Sequence, residues 1–168
     1  MLLKSKDIAY LGVLLGLNQL FIILSSIIET NTIILMAAAA LMIGVVIVEF
    51  GSLSGTLFYA ASCILGFFLT LNKVEIITYI LFFGLYSVVK HLVEYKIFNK
   101  IISYAIKIVF FNISLLILYF VVNQFIVLKL FWWMVLGAEA LFLIYDYAFT
   151  VFINYYINNI RPKIKIRK

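Results

Sequence analysis

Proline is almost missing from this chain, one residue in 168, and the groups from which most enzymes build their sites are nearly as scarce: one histidine, one cysteine and seven acids. The lone Cys63 excludes an intramolecular disulfide and a cysteine metal cluster; lying in an apolar run, it reads as a small buried hydrophobe. His91 has no second histidine and no nearby cysteine with which to share a metal. There is no phosphate-binding glycine loop with its lysine, no Gly-x-Ser-x-Gly and no His-Glu-x-x-His. No enzymatic activity, metal or cofactor is therefore expected. Charge is thin as well, at 12% of residues against roughly a quarter in a soluble domain.

What the chain has instead is hydrophobic residues, 67% of the total, gathered in runs of about 20 residues, the length of a bilayer-crossing helix. Barrel strands would be short and alternating, so the expected fold is all-α: a polytopic bundle of six transmembrane helices. The segments are Ile8–Ile28, Thr32–Val48, Leu53–Leu71, Glu75–Tyr95, Ile101–Val127 and Leu130–Tyr155. The first is too long for a signal-peptide core and has no small-x-small cleavage site after it, so it reads as a retained helix. Short turns make each helix antiparallel to the next, giving one domain over residues 1–160 and a basic tail, 161–168.

The net charge of +6 does not point to nucleic acid, because the basic residues sit at the ends of apolar runs. Six crossings place all of them on one side except Lys73 and Lys129. By the positive-inside rule both termini are cytoplasmic, in a bacterial cytoplasmic membrane, with the tail set against anionic headgroups or a partner.

Small and polar residues divide the chain. Ala9, Gly12 and Gly16 form one stripe on the first helix, and Ala40, Gly44, Gly55, Ser62 and Gly66 mark close packing in the next two. The last three helices carry the polar groups. Tyr79, Tyr86 and Lys90 fall on one face of the fourth helix, and Asn112, Tyr119 and Asn123 on one face of the fifth. The sixth carries Glu139 and Asp146, two helical turns apart.

An intramembrane acid is costly and demands a partner. If helices five and six turn near Lys129, Tyr119 lies level with Glu139 and Asn112 with Asp146. Lys90 reaches Asp146 as its ion-pair partner, whereas Lys107, nearer the border, can snorkel outward. Glu139 has no lysine at its level, and Trp132 stands one heptad above it. Two readings follow. Glu139, Tyr119, Trp132, Asn123 and Asn112 surround a small-molecule site, or a protonated Glu139 bonds Tyr119 while Trp132 and Trp133 form an interfacial belt.

Lys6-Asp7-Ile8-Ala9-x-x-Gly12-x-x-x-Gly16, the small residues of helices two and three, six crossings and a polar second half together resemble the substrate-binding S components of energy-coupling-factor vitamin transporters. The resemblance implies a subunit that binds a small nutrient from outside. Ala9, Gly12 and Gly16 would dock on a transmembrane coupling subunit, which in turn carries two ATPases. It also implicates Tyr119, Trp132 and Glu139 in ligand contact. Rod-shape-determining membrane proteins of the D type have a similar size and helix count, which implies a non-catalytic scaffold instead. A stand-alone carrier gated by protonation of Glu139 or Asp146 is the third expectation.

Overall fold

A computed structural model describes residues 5–124 and 131–164. Leu128 and Lys129, at the expected last turn, the end of the fifth segment, Leu130 and the tail beyond Ile164 lie outside the described residues. The helices are α1 (Ser5–Ile27), α2 (Thr32–Phe50), α3 (Ser52–Leu69), α4 (Lys73–Lys96), α5 (Lys100–Asn123) and α6 (Trp132–Lys163), and there is no strand among the described residues. All six are long and apolar enough to cross a membrane.

Local chemistry explains where the helices stop. Gly51 alone joins α2 to α3; its φ of +87° is a conformation that glycine adopts without a Cβ penalty, and its N–H closes the end of α2 on the Ile47 carbonyl at 2.9 Å. At the opposite end, Lys73 donates to the Phe67 and Thr70 carbonyls at 2.7 and 2.9 Å, satisfying the end of α3. Asn72 caps α4, accepting from the N–H groups of Val74 and Glu75 while donating to the Glu75 side chain. Asn99 caps α5 through the Ile101 N–H.

The central element is α2, which packs against α1, α3, α4 and α6. Ala39 and Ala40 on it are fully buried and let neighbouring backbones approach. Gly44 does the same for α6: a Cβ there would meet the Phe149 ring at 2.8 Å. In contrast α5 and α6 present long apolar faces outward, including Ile113, Leu116, Phe120 and Ile144.

Two departures from the expected helices matter. The fourth helix contains a wide-turn π segment, Tyr79–Gly84, in which the hydrogen bond reaches one residue further than in an α-helix. An extra residue in the winding rotates the faces on either side by about 100° relative to each other. Tyr79 therefore points toward α1 and α3, and only Tyr86 and Lys90 face α6, contrary to the single face expected from spacing. The sixth helix does not stop at Tyr155; it continues through a second π segment, Tyr156–Ile160, to Lys163. Arg161 thus lies in the helix, where it pairs with buried Glu49 of α2 at 3.1 Å.

Candidate functional site

About 10 Å by helical rise from the Lys96 end of α4 and the Lys100 end of α5, these two helices and α6 converge on Asp146. One carboxylate oxygen accepts from both Lys90 and the Tyr86 hydroxyl. Lys107 donates to both oxygens, at 3.1 and 2.9 Å. The two ammonium groups also share one oxygen of Glu94, at 2.8 Å from Lys90 and 3.0 Å from Lys107, and Lys90 donates to the Thr150 hydroxyl at 2.8 Å. Four formal charges cancel within one hydrogen-bonded group. That matters because buried charges are tolerated only when paired and satisfied. Asp146, Lys90 and Lys107 are buried, whereas the Glu94 side chain is 43% exposed.

Lys107 does not snorkel. It turns inward along the Tyr104 ring, 4.4 Å from the ring centre, because the uncompensated half of Asp146 and the Glu94 carboxylate lie within reach of its stem. Sequence reasoning missed Glu94 and Thr150 entirely. Glu94 stands four residues after Lys90, a spacing that puts the two on one helical face and is a readable signal for the pair.

Two cavities flank the cluster. One of about 100 Å³ lies between α2, α4 and α6, with Gly44, Lys90, His91, Phe149 and Asn154 in its wall. The other, about 390 Å³, lies between α4, α5 and α6 and is lined by Lys100, Ser103, Tyr104 and Lys107 among others. Glu94 and Thr150 line both. His91 stacks on Tyr95, and no three His, Cys, Asp or Glu side chains among the described residues are grouped so as to hold a metal.

A second polar assembly sits deeper and is neutral. Asn18 of α1 donates to the Ala39 carbonyl of α2 and to the Tyr79 hydroxyl of α4, both at 2.8 Å. Gln19 donates to Asn18 and to the Ser62 carbonyl of α3, and Ser62 meets Tyr79 at 3.0 Å. The Tyr59 hydroxyl donates at 2.7 Å to the Ile80 carbonyl, inside the π segment, and the missing side chain of Gly84 makes room for the Tyr59 ring.

The expected ligand residues are distributed differently from their predicted depths. Glu139 meets Asn112 at 3.3 Å, and Asn112, expected level with Asp146, is displaced by two helical turns. Tyr119 is half-buried and packs on Phe120, while Trp132 is 77% exposed and Asn123 exposed. Among the described residues α5 ends at Asn123, four residues before its expected end, and α6 begins at Trp132, two after its expected start. A third cavity, about 180 Å³, lies between α4, α5 and α6 in the half away from the termini. It is walled by Phe82, Phe83, Phe111, Leu115, Phe142 and Tyr145, with Ile33, Leu118, Ala138 and Leu141 completing it. None of Glu139, Tyr119 or Trp132 is in that lining.

On α1, Ala9, Gly12 and Gly16 are exposed, and a Cβ added at either glycine meets nothing within 4 Å. No family model matches the sequence, and neither a curated protein nor a solved structure matches it.

Proposed function

We propose that the chain is a multi-pass protein of the bacterial cytoplasmic membrane, with both termini cytoplasmic, that binds a small, mainly apolar molecule as the membrane-embedded subunit of an uptake system. The observation that carries this reading is the aromatic cavity of about 180 Å³ between α4, α5 and α6. An apolar cavity of about 150 Å³ holds benzene, so this one fits a single-ring aromatic or a short aliphatic nutrient. The open Ala9–Gly12–Gly16 stripe supports docking of a transmembrane coupling subunit, since backbone-to-backbone approach is a main source of helix association in lipid. ATPases would then be supplied by partners, because the chain has no nucleotide loop of its own.

The test is thermal unfolding of the purified chain with single-ring aromatic and vitamin-like probes, beside a variant, Ala138→Phe, that fills the cavity. A ligand should raise the midpoint of the parent and leave the variant unmoved. If no probe shifts the midpoint and no coupling subunit co-purifies, the uptake reading fails. A scaffold is the second reading, favoured by the same open stripe; it requires stable partners that assemble without any small molecule and are lost in Gly12→Leu.

A further inference from the structure

The cavity of about 390 Å³ at the terminal end is not used by the uptake reading. Its wall is formed by Lys100, Lys107, Ser103, Tyr104 and one acid, Glu94, among others. Ser103 is 6% exposed, and its hydroxyl makes no hydrogen bond among the described residues. That oxygen is not among the fully buried unpartnered atoms, so it keeps contact with the open space of the cavity, where it can donate to an acceptor oxygen of a ligand.

Charge decides the sign of that ligand. Glu94 is partly in water and is already divided between Lys90 and Lys107, whereas Lys100 stands free of any ion pair among the described residues. Two lysines, a serine and a tyrosine around one volume match a tetrahedral oxyanion better than a cation, which would face the lysines, or a flat carboxylate, which has only two oxygens to offer. We propose that this cavity binds a phosphate group, held by Lys100, Lys107 and Ser103. The phosphate displaces Glu94 from Lys107 and leaves it on Lys90. The same chemistry is carried by free phosphate and by the headgroup of an anionic lipid, and basic pockets between helices are known ports for such headgroups.

The experiment uses the full chain in lipid nanodiscs and reads the midpoint of thermal unfolding. Three conditions are compared: phosphatidylcholine alone, phosphatidylcholine with phosphatidylglycerol, and phosphatidylcholine with millimolar inorganic phosphate. The parent should gain about 5 °C in at least one of the latter two. A gain with phosphatidylglycerol alone assigns the lipid, and a gain with inorganic phosphate alone assigns the soluble anion. Gains with both assign the bare phosphoryl group. Lys100→Gln with Ser103→Ala should keep the phosphatidylcholine baseline and lose the gain. If that double variant fails to give a cooperative transition, Lys100→Gln alone, at an exposed position, is put through the same comparison. No gain in the parent, or a gain undiminished in the variant, overturns the proposal.

Discussion

The network around Asn18 and the cluster around Asp146 are both buried and both bridge helices, yet one is built of amides and hydroxyls and the other of four formal charges. The neutral network joins α1, α2, α3 and α4 through uncharged hydrogen bonds of modest net worth, and losing one member leaves a neutral group, not an ion, short of a partner. The charged cluster attaches α5 and α6 to α4, and its members depend on one another: remove one and a buried ion is stranded. The first three helices and the Tyr79 end of α4 are therefore held by many small uncharged contributions. The attachment of α5 and α6 to α4 combines that mutual charge with ring contacts of Phe82 on Phe111 and Phe142, at 5.4 and 6.1 Å, while α6 is also held to α2 by Phe149 against Gly44 and by Arg161 with Glu49. Rearrangement is easier where the contacts are interdependent and one member, Glu94, already touches water.

The largest test of this contrast is Asp146→Ala, which leaves Lys90 and Lys107 without their shared partner. It should cost about 3–5 kcal/mol in denaturant unfolding in detergent micelles. Combining Asp146→Leu with Lys107→Met, which leaves the Lys90–Glu94 pair intact, should recover at least half of that loss. Failure to recover would mean that the cluster stabilises through geometry rather than charge balance. Next comes Asn18→Ala in the neutral network, expected at about 1–3 kcal/mol by the same measurement, from leaving the buried Gln19 and Tyr79 short of a partner. A loss as large as that for Asp146→Ala would erase the distinction between the two assemblies. The smallest effect belongs to Glu94→Gln, below about 1 kcal/mol because water already competes for this side chain. A larger loss would place Glu94 among the obligatory members of the cluster.

Much of the helical layout could be read from hydropathy. The second helix begins at the expected Thr32, and the fourth starts two residues before its expected Glu75 and ends one after Tyr95. Asp146 within reach of Lys90 follows from counting rise along antiparallel helices. What counting could not supply was winding. The π segment of α4 meets Tyr59 of α3 at the Ile80 carbonyl and at Gly84, a pairing across two helices that has no local spacing signature. The depth of Lys107 was equally hidden, because a lysine near a helix end reaches outward or inward with the same stem, and only the position of Asp146 and Glu94 selects between them. The pairing of Glu139 with Asn112 was missed for a third reason: the register of α5 against α6 is set by how the two helices pack, as the Lys107–Asp146 pair also shows, and counting from an assumed turn does not reach it.

The π segment also sets a rule for inheritance. Tyr79 serves one assembly and Lys90 the other, and the two can be served together only because the helix between them is wound by one residue too many. A deletion within Tyr79–Gly84 would straighten the helix while keeping every side chain on either side, and would nonetheless turn one group away from its partners. Substitutions here are matters of degree, but the number of residues is not. In this stretch the chain's length is itself part of its chemical content.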